Sequence, residues 1–74
     1  MTKSALQKRS LRIAGHRTSL ALEREFWEAL VKIARAQGQS LPQTIAAIDA
    51  VRAKAEPSAS LASAVRVFVL KNRD

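Results

Sequence analysis

The chain has 74 residues, of which 13 are lysine or arginine and six are aspartate or glutamate, so its formal net charge is +7. A domain this small buries only about 60% of the surface that its unfolded chain exposes, and disulfides, a structural metal or oligomerisation commonly stabilise such domains. With no cysteine and one histidine, disulfides and thiolate zinc sites are excluded, and oligomerisation is the expected remedy. A hydrophobic content of 47% predicts a folded chain, and a strongly cationic folded domain is typical of nucleic-acid-binding proteins.

Other functional classes find little support in the sequence. No apolar run reaches the roughly 18 residues of a membrane-spanning helix, and residues 1–7 lack the apolar segment of a secretory signal. We therefore expect a cytoplasmic, nucleoid-associated protein that does not act at a membrane. The sequence shows no nucleophile–base pairing, glycine-rich phosphate loop or metal-ligand spacing, so we expect neither an enzyme nor a cofactor or metal.

The basic residues are concentrated at the front of the chain. Residues 1–22 contain five lysines and arginines and no acidic residue, and residues 1–9 are predicted to form a flexible basic arm. Apolar and polar residues alternate over residues 10–22, which predicts a half-buried strand there. The apolar positions change from odd to even numbers across Gly15. This change predicts either a β-bulge in one continuous strand or a tight turn between two short strands.

Two helices are predicted after this strand. Over residues 24–37 apolar side chains recur at helical spacing, and Gly38 follows at the position where a helix commonly ends on glycine. Ser40 and Gln43 have the spacing of a capping box. They predict the start of a second helix, at about 41–54.

The last segment, at about 60–72, is compatible with two structures. Val65, Val67 and Val69 are β-branched and alternate, as in a strand. We favour a third helix, because Ser60 lies in a capping position before a run of good helix formers.

This order of elements resembles the ribbon-helix-helix DNA-binding family, the Arc/MetJ-type repressors. The resemblance covers the chain from Arg17 to about Ala50. The terminal apolar segment is similar to that of a bacterial branch of this family with an additional C-terminal helix. The residues that carry the resemblance are Arg17-Thr18-Ser19-Leu20-Ala21-Leu22, Glu25-Phe26-Trp27-Glu28-Ala29-Leu30, Ala34 and Gly38-Gln39-Ser40.

The resemblance implies a mostly α fold with a short N-terminal β-ribbon, in which residues 10–74 form one domain. In this family the ribbon is an antiparallel two-stranded sheet formed by the strands of two chains, so the resemblance implies a homodimer. Arg17, Ser19 and Ala21 would then face outward and contact base edges in the major groove of double-stranded DNA. Ala21 departs from the polar residue usual at this position and could touch only a thymine methyl group.

Phosphate contacts are expected from two further parts of the chain. The resemblance implies that the N-terminus of the second helix holds a phosphate through its backbone amides. The basic residues that precede the ribbon are expected to bind flanking phosphates. The expected phosphate-contacting residues are Lys8, Arg9, Arg12, Ser40, Leu41 and Gln43.

The predicted function is sequence-specific binding of double-stranded DNA, as a transcriptional repressor that reads the major groove as a homodimer and can form a tetramer on DNA. The alternative is an antitoxin-type or other protein-interaction module, whose C-terminal segment binds a protein partner.

Overall fold

A computed structural model describes residues 5–73. The fold class is confirmed: a short N-terminal β-ribbon precedes a helical remainder, and the last segment is a helix rather than a strand. The elements are β1 (Leu6–Ile13), β2 (His16–Glu23), α1 (Arg24–Ala36), α2 (Leu41–Ala55) and α3 (Leu61–Asn72).

The two strands form an antiparallel hairpin. Its turn is Ala14-Gly15, and both turn residues have positive φ, of 52° and 82° respectively. Two-residue turns with this conformation match the right-handed twist of the strands that they join. The sequence left a β-bulge or a tight turn possible at Gly15, and the chain therefore forms the tight turn.

Two sequence-based expectations need correction at this hairpin. Residues 6–9 are part of β1, so the flexible arm predicted over residues 1–9 does not extend to them; residues 1–4 lie outside the described part of the chain. The strand predicted at 10–22 is two strands, β1 and β2, which pair with each other as a hairpin within the chain. The physical reason is the turn, which lets the polar residues of β1 satisfy the backbone groups along one edge of β2.

The helix ends follow local signals in the sequence. Gly38 has a φ of 68°, the left-handed conformation that commonly ends a helix, just after α1. Ser40 and Gln43 form the predicted capping box at the start of α2. The hydroxyl of Ser60 caps α3 by accepting a backbone hydrogen bond.

The connection between α2 and α3 is held by one arginine. Arg52 lies in α2 and donates hydrogen bonds of 2.9 and 2.8 Å to the Oδ1 atom of Asp49. It also donates one of 2.9 Å to the carbonyl oxygen of Ala59, just before α3. These bonds fix the loop that brings α3 back against α2.

The hydrophobic core lies between one face of the hairpin and the three helices. Leu20 and Leu22 of β2 are 3% and 0% exposed, and Ile13 of β1 is buried with them. Because all three helices contribute to this single cluster, they cover the same face of the hairpin and leave its other face open. The buried helical residues are Trp27, Leu30, Ala34, Ile45, Ile48, Val65 and Val69.

Candidate nucleic-acid interface

The open face of the hairpin carries side chains from both strands. Residues directly opposite each other in an antiparallel pair point to the same face, and Leu20 and Leu22 point into the core. The alternate positions therefore point away from the helices. We call this surface the outer face; from the turn outward its cross-strand pairs are Arg12 with Arg17, Ser10 with Ser19, Lys8 with Ala21, and Leu6 with Glu23.

The outer face combines positive charge with hydrogen-bonding groups. The three pairs nearest the turn carry three cations, two hydroxyls and no acidic side chain, and all six of their residues except the half-buried Ala21 are exposed. The three residues expected to contact bases, Arg17, Ser19 and Ala21, lie in a row along β2. Lys8 and Arg12, expected to contact phosphate, lie on the same face along β1. The structure therefore brings these five residues together.

Arg9 is not on this face, although a phosphate contact was predicted for it as for Lys8 and Arg12. It is paired with Leu20 and therefore points to the side of the helices. Its guanidinium lies 4.6 Å from the centre of the Trp27 ring, a cation–π geometry. Trp27 in turn donates a 2.9 Å hydrogen bond from Nε1 to the carbonyl oxygen of Gln7. Arg9 thus helps to attach β1 to α1.

Arg12 and Arg17 are directly opposite each other near the turn. Side chains in this relation have Cβ atoms about 4.5–5.5 Å apart, and like charges so placed destabilise a hairpin. Among residues 5–73, neither arginine has a carboxylate within ion-pair distance. A ligand with hydrogen-bond acceptors or negative charge, placed over this pair, would relieve the repulsion.

The last pair of the outer face includes an acidic residue, Glu23, which is neutralised by α3. Glu23, at the end of β2, accepts hydrogen bonds of 3.0 and 3.3 Å from the guanidinium of Arg66. These hydrogen bonds lower the pKa of Glu23 below its ordinary value of 4.5. The Arg66 guanidinium also lies 5.7 Å from the centre of the Phe26 ring. The carboxylate therefore stays ionised and is directed to α3 rather than to the cations of the hairpin.

The N-terminus of α2 is only partly available to a phosphate. The amide of Ser40 donates to Oε1 of Gln43 at 2.8 Å, and the amide of Gln43 donates to Oγ of Ser40 at 3.2 Å. Pro42 has no amide hydrogen. In the first turn, the backbone amide of Leu41 is therefore the one that the capping box does not use. Ser40 and Gln43 therefore act first as caps, and the expected phosphate site is reduced to one free donor.

One member of the outer face was missed by the sequence analysis. Ser10 lies directly opposite Ser19, so the two hydroxyls lie between the arginine pair and the pair of Lys8 with Ala21. The signal was present in the parity change at Gly15. Once Ala14-Gly15 is taken as a two-residue turn, the register follows, and Ser10 must share a face with Ser19.

The fold and this face define a small helical domain that presents a basic two-stranded β-ribbon. The chain matches the family model described as a ribbon-helix-helix domain over residues 6–72, and it belongs to the ribbon-helix-helix family. Proteins of this family are in general DNA-binding regulators, typically without enzymatic activity, and their domains generally dimerise. No curated protein and no solved structure matched the chain.

The family match covers β1 and α3 as well as the segment from Arg17 to about Ala50. Both elements are therefore part of the family domain. Within residues 5–73, no helix is long and apolar enough to cross a membrane.

Proposed function

We propose that this protein is a sequence-specific repressor that binds double-stranded DNA by inserting the outer face of its hairpin into the major groove. The observation that supports this most strongly is the segregation of the hairpin into two faces. One face packs Ile13, Leu20 and Leu22 against the helices, and the other presents exposed cations and hydroxyls in its three pairs nearest the turn.

The dimensions of the hairpin suit the major groove. Neighbouring strands lie about 4.8 Å apart, and the groove of B-DNA is about 12 Å wide and admits a two-stranded ribbon. Successive pairs on one face are about 6.8 Å apart along the strands, which is close to two base-pair steps. The arginine pair and the serine pair could therefore meet bases two steps apart.

Arg17 supplies most of the expected sequence preference. Its guanidinium can donate two hydrogen bonds to O6 and N7 of a guanine, a contact worth about 1–3 kcal/mol of discrimination. The hydroxyl of Ser19 can donate or accept a hydrogen bond, so it discriminates less between bases. Lys8 lies farther from the turn than the arginine and serine pairs and is placed to bind a flanking phosphate.

Repression follows from occupancy and needs no chemical step. Two copies bound to an inverted repeat near a promoter would exclude RNA polymerase from it. The homodimer in this proposal is supported by the general tendency of the family to dimerise. A cytoplasmic, nucleoid-associated location accords with a DNA-binding role.

The alternative, an antitoxin-type module whose C-terminal segment wraps a protein partner, is less well supported. Val65 and Val69 of α3 are 0% and 4% exposed in the chain's own core. A segment packed in this way is not free to wrap another protein, and its removal would open the core. A partner could still bind the exposed side of α3.

The test is a DNA-binding titration. Duplexes are first selected from a random pool with the wild-type protein, and binding is then followed by fluorescence anisotropy. We expect Arg17→Ala to weaken binding to the selected duplex by about 5–150-fold, the equivalent of 1–3 kcal/mol. Arg35→Ala, which removes an exposed arginine of α1, is the matched control and should leave the affinity unchanged. Equal binding by the wild type and Arg17→Ala, or failure to select any duplex, would refute the proposal.

A further inference from the structure

We propose that β1 forms the two outer strands of a four-stranded sheet in the dimer. Two chains pair along the edge of β2 that β1 does not occupy, as the family resemblance implies for the ribbon, and β1 of each chain then lies outside that ribbon. Arg17 and Ser19 of the inner strands read bases, while Lys8 and Arg12 of the outer strands bind the phosphates on either side of the groove. This inference rests on the proposed function and gives the two strands of the hairpin different roles in it.

The second edge of β2 carries backbone groups that can pair with another strand. Within residues 5–73 the sheet has two strands, and β1 occupies one edge of β2 over eight consecutive positions. The pair that closes the two-residue turn, Ile13 with His16, is hydrogen-bonded, and such pairs alternate with non-hydrogen-bonded pairs along the strands. The N–H and C=O groups of Arg17, Ser19 and Ala21 therefore point away from β1, where a further strand can bind them.

The two edges of the hairpin differ in their protection against further pairing. Edge strands are commonly protected by lysine, proline, a bulge or a charged side chain that points inward. β1 contains Lys8, and its Arg9 is directed to the side of the helices. β2 has no proline and no bulge, and Thr18, Leu20 and Leu22, which point inward, are uncharged. We therefore expect a second copy of the chain to pair at the edge of β2 rather than at the edge of β1.

The sequence of β2 is compatible with antiparallel pairing to itself. The buried rows of both strands stay on one face only if the two-fold axis passes through a residue position rather than between two. The registers with the longest overlap of residues 16–23 have the axis at Ser19 or at Leu20. Arg17 then lies opposite the partner's Ala21 or the partner's Glu23, so two arginines do not face each other. In both registers the two copies of Ser19 lie within about 8 Å of each other.

The width of this sheet separates base contacts from phosphate contacts. Neighbouring strands are about 4.8 Å apart, so the two inner strands fit the major groove, which is about 12 Å wide. The outer strands lie three spacings apart, about 14 Å, and therefore lie over the walls of the groove. Lys8 and Arg12 are exposed on the same face as Arg17. They are about 13 Å apart along β1, so they reach different phosphates.

This arrangement also relieves the repulsion between the facing arginines. Arg12 and Arg17 are directly opposite each other, and each would have an acceptor of its own. Arg17 on the inner strand meets O6 and N7 of a guanine, and Arg12 on the outer strand meets a phosphate oxygen.

Cross-linking tests the order of the strands. The wild type has no cysteine, so Ser19→Cys and Ser10→Cys each introduce one thiol, at exposed positions directly opposite each other. The probe is a bismaleimide that spans about 8 Å, the distance between diagonal neighbours on one face of a sheet. We expect Ser19→Cys to give covalent dimers on a denaturing gel. Ser10→Cys is the matched control and should remain monomeric, because its two thiols are about 14 Å apart.

Three results of the cross-linking experiment would overturn the proposal. Dimers from Ser10→Cys alone would place β1 at the centre of the sheet. Equal cross-linking of the two variants, or none from either, would show that two β2 strands do not lie side by side between two β1 strands. Both variants replace an exposed hydroxyl with a thiol of similar size, and circular dichroism checks that each retains its helices.

The salt dependence of DNA binding tests the role of the outer strands. We expect Arg12→Ala to weaken binding by the same factor on every duplex and to leave the selected sequence unchanged. It should also reduce the slope of log affinity against log salt by about two per dimer, one for each lost phosphate contact. Arg17→Ala should instead change the base preference, and Arg35→Ala is the control that should change neither.

A changed base preference in Arg12→Ala, with an unaltered salt slope, would overturn the phosphate role of β1. If the wild type selects no duplex, the proposed function and this role fail together, while the cross-linking experiment still decides the order of the strands.

Discussion

Removing one arginine of the facing pair should stabilise the free protein while it weakens DNA binding. The perturbation is Arg12→Gln, which keeps most of the aliphatic stem and removes the charge opposite Arg17. Favourable cross-strand pairs contribute about 0.2–1 kcal/mol, and we expect the repulsion between like charges directly opposite each other to be of the same size. For a domain of this size, each kcal/mol shifts the melting temperature by about 4–8 °C, so we expect Tm to rise by about 1–8 °C.

The assay is thermal unfolding followed by circular dichroism, at low salt and again in 1 M salt. High salt shortens the screening length to about 3 Å and should remove most of the gain. Arg35→Gln is the control, since it removes an exposed charge from α1 and should leave Tm nearly unchanged. In the double variant Arg12→Gln/Arg17→Gln, the second substitution should add little stability, because the repulsion has already been removed. A lower Tm for Arg12→Gln, or a gain that persists unchanged in 1 M salt, would refute the electrostatic reasoning.

Three further predictions concern the hairpin and its attachment to the helices. Ala14→Asn should raise stability by about 1 kcal/mol in urea unfolding, because Asn tolerates the positive φ of 52° better than Ala; an unchanged or lower stability would contradict the turn assignment. Trp27→Phe should lower the free energy of unfolding by about 1–3 kcal/mol, since it leaves a cavity and removes the hydrogen bond to the Gln7 carbonyl oxygen; an unaltered urea midpoint would argue against this attachment. Glu23→Gln should be less stable than the wild type at pH 7. Because the pKa of Glu23 is lowered in the folded state, the stabilisation from its pairing with Arg66 is present above pH 4.5 and is lost as the pH falls through the folded pKa. The difference in stability between the wild type and Glu23→Gln should therefore narrow in acid, and a difference that stayed constant would contradict the pairing.

The parts of the fold that could be predicted are those with a local signal. The capping box of Ser40 and Gln43 and the glycine at 38 are short-range features, and they mark helix ends in the structure. The inward positions of Leu20 and Leu22 followed from strand alternation alone. These signals depend on residues close in sequence, so no knowledge of the tertiary structure was needed.

The strand pairing could not be predicted in the same way. Residues 6–9 are polar apart from Leu6, and with both sides of this part of β1 exposed it has no buried row to give an alternating pattern. Its strand structure comes from pairing with β2, which is a tertiary effect. The same limit explains Arg9, whose direction is set by its opposition to Leu20 and by the ring of Trp27. Charge alone did not distinguish it from Lys8 and Arg12.

The availability of the α2 N-terminus also depended on side-chain geometry. The sequence predicted both a capping box and a phosphate site at Ser40 and Gln43. These two roles compete, because each backbone amide hydrogen that the box uses is no longer free for a ligand. The observed hydrogen bonds favour the capping role.

The central claim is that the outer face of the hairpin contacts duplex DNA. The most direct measurement is the change in backbone amide chemical shifts of the ¹⁵N-labelled protein when the selected duplex is added. We expect the largest changes at Lys8, Ser10, Arg12, Arg17 and Ser19, with little change on the exposed sides of α2 and α3. Changes confined to α2 and α3, with the hairpin residues unaffected, would contradict the account.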